Sequence, residues 1–158
     1  MGEVLARRLK QTRFESSHQE VLLNLLVAAD YLKACVMRAL PGDGLSVSQY
    51  NVLRILRGAG PEGRTRCEIA VRMLDRNPDV TRTLDRLDAA GMVQRCPGTL
   101  DRRTTVSRIT AKGLGAVDAI DGPMRRETRR VMGRLTEAER FELSRLVEKL
   151  YGPDLEAD

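Results

Sequence analysis

Between Pro78 and Gly91 the sequence PDVTRTLDRLDAAG permits a helix with a single narrow apolar stripe. At about 100° per residue, Val80, Leu84 and Leu87 share one side, while Pro78, Arg82, Asp85 and Arg86 occupy the other with Asp79 and Thr81 on its flanks. Asn77 suits the N-cap, Pro78 the first helical position, where no amide hydrogen is needed, and Gly91 the left-handed residue just past the end. So narrow a stripe requires the helix to lie on the surface of its domain with the charged side outward. Upstream, residues 68–74 read as a short helix with Ile69, Ala70 and Met73 inward. The ten-residue spacing of Ala70 and Val80 lets the two helices cross closely, as a helix-turn-helix needs. Downstream, residues 92–96 and 104–109 are strand-like on either side of a loop with Pro97 and Gly98 at one end and Arg102 and Arg103 at the other. Such a hairpin is the wing of a winged helix, its tip placed to enter a minor groove. Val106 and Ile109 fall on opposite parities, so the hairpin is better specified than its register.

Charge singles out the same segment. Residues 64–113 hold eleven Lys or Arg and six Asp or Glu, and the rest of the chain holds sixteen of each, so the whole net charge of +5 sits in this third of the sequence. Ten of the eleven cations are arginines, whose planar fork suits phosphate and guanine edges. Charge alone leaves open a solvated, salt-bridged surface.

The flanks are helical. In residues 18–40, Val21, Leu25, Ala29, Leu32 and Val36 recur at helical spacing, and Leu22, Leu26 and Val27 widen the stripe, predicting a long helix buried on more than one side. Pro41, Gly42 and Gly44 end it. Ser46 and Gln49 then form a capping box for a helix reaching about Arg57, followed by a glycine-rich loop. From Ala111, Val117, Ile120, Met124, Val131 and Leu135 continue a helical pattern that Gly122-Pro123 should kink or break. Thr136 and Glu139 form another capping box, opening a last helix with Leu143, Leu146, Val147 and Leu150 on one face. These terminal regions need one another or a second chain for burial. The expected fold is mainly α: a winged helix-turn-helix with about six helices and a two-stranded β wing. Residues 1–17 are an N-terminal extension, 18–44 and 111–158 a helical dimerisation region drawn from both termini, and 45–110 the winged module.

Several function classes fall away. A chain of 158 residues suits one core. No apolar run reaches the roughly 18 residues of a membrane span and the amino terminus is too polar for a secretory signal, so a cytoplasmic protein with no membrane partner is expected. Cys35, Cys67 and Cys96, odd in number and without a CxxC pair, read as reduced, small buried hydrophobes. His18 is the only histidine. With no nucleophile elbow, phosphate-cradling loop or metal constellation, no catalytic residue, metal or cofactor is assigned, and the chain is not expected to be an enzyme.

The motifs, taken together, match a known pattern. Asp101-Arg102-Arg103 followed by Ile109-Thr110 and Gly113 looks like the wing signature D-x-R, then L-T-x-x-G, of the MarR family of bacterial winged helix-turn-helix transcriptional regulators. Leu45 to Gln49, Thr81-Arg82, Asp85-Arg86-Leu87 and Gly91-Met92-Val93 extend the resemblance in register, and it covers residues 18–150. It implies a homodimer with interleaved terminal helices, two recognition helices on successive major grooves of duplex DNA, wing tips at the minor groove, and a small-molecule effector bound between the dimer helices and the reading head. On this basis Pro78, Asp79, Thr81, Arg82, Arg86, Arg102 and Arg103 are candidate DNA contacts. Arg82 is placed for a guanine edge, Arg103 is the minor-groove residue the motif indicates, and Asp101 braces Arg103. Asp79 either accepts from a cytosine or stabilises the helix dipole. His18, Asn24 and Tyr31 lie where the family binds its effector. Asp79 stands where the family commonly has Ser or Thr, and Leu74-Asp75-Arg76 lacks a frequent glycine, departures that bear on operator sequence and turn geometry. The implied function is a sequence-specific regulator, a repressor acting as a homodimer on an inverted-repeat operator and released by its effector. Other readings are a winged-helix protein or RNA interaction module and a thiol-based redox-sensing regulator, although no cysteine lies near the start of the first helix.

Overall fold

The computed structural model describes residues 2–40, 42, 44–75, 79–98 and 103–155, with side chains to Pro153. Among the described residues, seven α-helices and three strands run in the order α1 (Glu3–Leu9), α2 (Ser17–Ala39), α3 (Val47–Ala59), β1 (Arg64–Thr65), α4 (Arg66–Ala70), α5 (Val80–Ala89), β2 (Val93–Pro97), β3 (Thr105–Ile109), α6 (Ala111–Met132) and α7 (Glu137–Leu155). A 3-10 turn, Gly60–Glu62, precedes β1. The helix beyond the expected six is α1, inside the N-terminal extension. At seven residues it is too short to show a period, and tertiary contacts hold it. Leu5 and Phe14 are buried, Arg8 pairs with Asp30 at 3.6 Å, and the Gly2 amide donates to the Glu20 carboxylate.

Local signals place most boundaries. Ser46 and Gln49 close the expected capping box, at 3.2 Å from the Gln49 amide to the Ser46 hydroxyl and 2.8 Å from the Ser46 amide to the Gln49 side chain. Thr136 and Glu139 do the same ahead of α7. Of the kink or break expected at Gly122-Pro123, the break does not occur, and α6 continues through both residues. Its first half is held in the core by Val117 and Ile120, and Arg57 of α3 bonds Asp121 at 2.8 Å. These contacts outweigh the one helical hydrogen bond that proline forfeits.

The core fills the space between α3, α4, α5, the sheet and α6. Val52, Leu53, Leu56, Ile69, Leu87 and Val117 are completely buried, and Leu84, Val93 and Ile120 nearly so. Each such side chain contributes roughly 1.5 to 3 kcal/mol relative to exposure. Strand order is β1-β3-β2, all antiparallel, with Val93 opposite Ile109 and Cys96 opposite Val106. The two-stranded wing therefore gains a third short strand. As the central strand, β3 is covered on both sides and buries Val106 and Ser107 in succession, which is why its alternation is irregular. Gly63, at φ +69°, passes so near that a Cβ would lie 2.5 Å from the Ser107 carbonyl oxygen.

The terminal helices are less covered than their pattern predicts. On α2, Cys35 and Ala39 are buried, but Val21, Leu22, Leu26 and Met37 are exposed, as are Phe141, Leu146, Leu150 and Tyr151 of α7. Within one chain, α2 is buried on one side only. Among the described residues no helix is long and apolar enough to cross a membrane.

The Arg57–Asp121 bond also predicts a pH dependence. The adjacent guanidinium holds the Asp121 carboxyl below the usual aspartate range. A folded-state value depressed below the unfolded one stabilises the protein above about pH 4 and loses that contribution as pH falls through the folded value. Asp121→Asn should therefore lower stability by about 1 kcal/mol at pH 7, and the gap to wild type should narrow and close as the carboxyl protonates in acid. Thermal melts at neutral and acid pH check this, and a gap that persists in acid contradicts it.

Candidate nucleic-acid interface

The surface helix begins later than its proline suggests. Asp79 is the N-cap of α5, its Oδ1 accepting the Arg82 amide at 3.0 Å, in place of the expected Asn77 cap with Pro78 in the first turn. Asn77 and Pro78 themselves lie outside the described residues. Bonding to a free helix amide is the ordinary work of a capping carboxylate, and it occupies one oxygen of Asp79. Val80, Leu84 and Leu87 are buried as their spacing predicts, turning Thr81, Arg82, Asp85 and Arg86 to the exterior. At the far end Gly91 takes the left-handed conformation, φ +69°, and the Met92 amide bonds the Leu87 carbonyl at 2.9 Å. Two further bonds tie this end to the start of α6. Lys112 Nζ donates to the Ala90 carbonyl at 2.7 Å and Thr110 Oγ1 to the Gly91 carbonyl at 2.8 Å.

The supporting helix also differs from expectation. It spans Arg66–Ala70 rather than 68–74, because Thr65 and Glu68 form a capping box that starts it earlier. The Thr65 amide and hydroxyl hold the Glu68 carboxyl below its ordinary range. The turn that follows exposes Val71 and Leu74, and the Leu74 amide is fixed by Asn51 Oδ1 of α3 at 2.9 Å.

Electrostatics decide what the outer face of α5 can bind. Its one mid-face acid, Asp85, is bonded by Arg95 from β2, so the wing strand neutralises the charge most able to repel a phosphate. Neither Arg82 nor Arg86 has an acidic side-chain partner among the described residues, although Asp79 and Asp85 lie three residues to either side of Arg82. Two exposed guanidiniums on a protruding helix can reach base edges or phosphates. Arg103 is exposed in the turn entering β3. The other wing candidates, Asp101 and Arg102, lie outside the described residues.

The remaining candidates are scattered. His18 and Asn24 are exposed near the start of α2, and Tyr31 is half-buried, its hydroxyl accepting from Arg130 at 3.4 Å. None of the three lines the cleft of about 730 Å³ between α3 and α6, whose walls include Tyr50, Arg54 and Met124. Of the cysteines, Cys35 is the buried hydrophobe expected and Cys96 is half-buried. Cys67 is exposed, because it sits on the outer side of the short, early-starting α4. Sequence reasoning missed Arg95, Asn51 and Tyr50. The roles of Arg95 and Asn51 depend on cross-element distances that no local pattern encodes, and Tyr50 reads simply as core.

Comparison with known proteins agrees with this geometry. The MarR family profile matches residues 43–104. The chain is 38% identical to a MarR transcription factor of Planctomyces limnophilus, covering 86% of this chain and 98% of that one, with a TM-score of 0.64. A regulatory protein ascribed to the hcr operon of Thauera aromatica is 26% identical over 114 residues, 72% of this chain and 68% of the relative. A mutant of Escherichia coli MarR, solved with operator DNA, shares the fold at 22% identity and a TM-score of 0.71, over 86% of this chain and 99% of that one. With its helix-turn-helix, wing and near-complete alignment to a relative of 38% identity, the chain belongs to the MarR family of DNA-binding transcriptional regulators.

Proposed function

We propose that the protein is a repressor that binds an inverted-repeat operator as a homodimer and is released by a small-molecule effector. The observation carrying the DNA reading is the pairing pattern on α5, where Arg95 takes Asp85 and leaves Arg82 and Arg86 without acidic partners among the described residues. In this reading Arg82 contacts a base edge, Arg86 and Thr81 contact the backbone, and Asp79 caps. Pro78, Arg102 and Arg103 complete the contact surface, and Asp101 braces the wing. Residues 45–110 serve as the reading module and 18–44 with 111–158 as the dimerisation region, α6 joining the two through Val117 and Ile120. The exposed apolar faces of α2 and α7 support a dimer, since patches of this kind on a soluble protein mark an interface. A dimer lying across a promoter represses by blocking polymerase.

Two measurements test the assembly. Sedimentation at micromolar concentration should give a dimer, and a footprint on the DNA flanking its gene should cover two half-sites about 34 to 36 Å apart. A stable folded monomer, or protection of one half-site only, contradicts it.

A further inference from the structure

The Asp85 carboxylate has a possible cationic partner on its own helix. Of the residues three or four positions away, Thr81, Arg82, Asp88 and Ala89, only Arg82 is a cation, and opposite charges at that spacing meet on a helix surface. The carboxylate is nevertheless bonded by Arg95, which comes from the wing. The backbone on the wing side sets this outcome. Gly91, in its left-handed conformation, turns the chain back so that β2 packs against α5. Val93 is buried two residues ahead of Arg95, and Arg95 itself lies opposite Ser107 of the central strand, which is also buried. The guanidinium therefore extends from a fixed strand beside the outer face of α5. Asp85 is drawn toward the wing, and Arg82 has no acidic side-chain partner among the described residues.

We infer that Arg95 is a positioning residue that determines specificity: it contacts no base, and it keeps Arg82 available to one by holding Asp85 away from it. This rests on the reading of Arg82 as a base contact. Without Arg95, the Asp85 carboxylate acts in two ways. It pairs with Arg82, which must then be detached before it reaches a base edge, and it stands uncompensated on the face that meets phosphates. An exposed pair of this kind changes an equilibrium by about two- to fivefold. The homodimer proposed above carries two such pairs, so the losses multiply to about five- to twentyfold on the operator. Removing Asp85 instead removes the competitor. The two partners of one ion pair therefore have opposite effects on DNA reading, whereas a bond that only braced the wing would give the same loss from either side.

The test is a double-mutant cycle on the full chain, with Arg95→Met, Asp85→Asn and the double variant titrated against operator and random duplex. The side chains of Arg95 and Asp85 are 39% and 56% exposed, so all three variants should fold, which circular dichroism checks. Arg95→Met should lose about five- to twentyfold on the operator and less on the random duplex, lowering the ratio of the two affinities. Asp85→Asn should bind the operator at least as tightly as wild type. The double variant should return to within about twofold of wild type, because the effects of contacting residues are not additive. Equal losses in Arg95→Met and Asp85→Asn would reduce the bond to a brace and overturn the inference. A double variant no tighter than Arg95→Met would overturn it too, by making Arg95 a phosphate contact in its own right. Arg82→Ala is measured alongside. An unchanged ratio in that variant removes the reading of Arg82 and this inference with it, whereas a fallen ratio there without rescue in the double variant counts against Arg95 alone.

Discussion

Gly113→Ala should destabilise the protein by about 3 kcal/mol, while Gly115→Ala, two residues along the same helix, should stabilise it by about 0.5 to 1 kcal/mol. Both glycines lie in α6, where alanine is the better helix former, so propensity alone predicts a gain at each. They differ in their surroundings. A Cβ at Gly113 would overlap the Met92 carbonyl oxygen and lie 2.8 Å from Ile109 Cγ1, whereas a Cβ at Gly115 meets nothing within 4 Å. The Met92 carbonyl has little room to move, because it accepts the Thr110 amide at 3.0 Å at the junction of wing and α6. This contact gives a physical reason for the glycine that closes the wing motif. Chemical denaturation of both variants measures the difference. A stabilised Gly113→Ala would show that the close approach is absent in solution.

On the operator, Arg82→Ala should cost about 1 to 3 kcal/mol, and much less on random DNA. Asp85 is taken by Arg95, and Asp79 Oδ1 by a backbone amide, so nothing acidic among the described residues competes with DNA for the Arg82 guanidinium. Arg103, at the wing, is assigned to charge and shape. Arg103→Ala should weaken binding to both kinds of DNA more evenly and flatten the salt dependence by roughly one unit of slope for each phosphate-neutralising cation lost from each chain. A narrow A·T-rich groove at the wing would leave Arg103 some sequence preference, so the contrast is one of degree.

How far these residues can be read without coordinates follows from the range of the interaction each depends on. Val80, Leu84 and Leu87, the Ser46 and Thr136 capping boxes and the left-handed Gly91 are set by contacts within about four residues, and they lie as their spacing predicts. The start of α5 differs from expectation because Asn77-Pro78 and Asp79 are both acceptable openings, and the carboxylate at Asp79 takes the amide. Gly122-Pro123 stays helical because α6 is anchored by Val117, Ile120 and Asp121, of which propensity takes no account. The third strand, the Arg95–Asp85 bond and the overlap at Gly113 arise from segments about ten to forty residues apart, and no periodicity carries them. The candidate DNA surface is therefore legible as a helix face, whereas its charge balance is not.

Reading of DNA by the outer face of α5 through Arg82 is tested by the ratio of operator to random-duplex affinity, measured by fluorescence anisotropy at two salt concentrations for wild type, Arg82→Ala and Arg103→Ala. This ratio should fall about tenfold or more in Arg82→Ala and change little in Arg103→Ala, whose losses appear on both duplexes and in the salt slope. An unchanged ratio in Arg82→Ala, or equal falls in both variants, would contradict it.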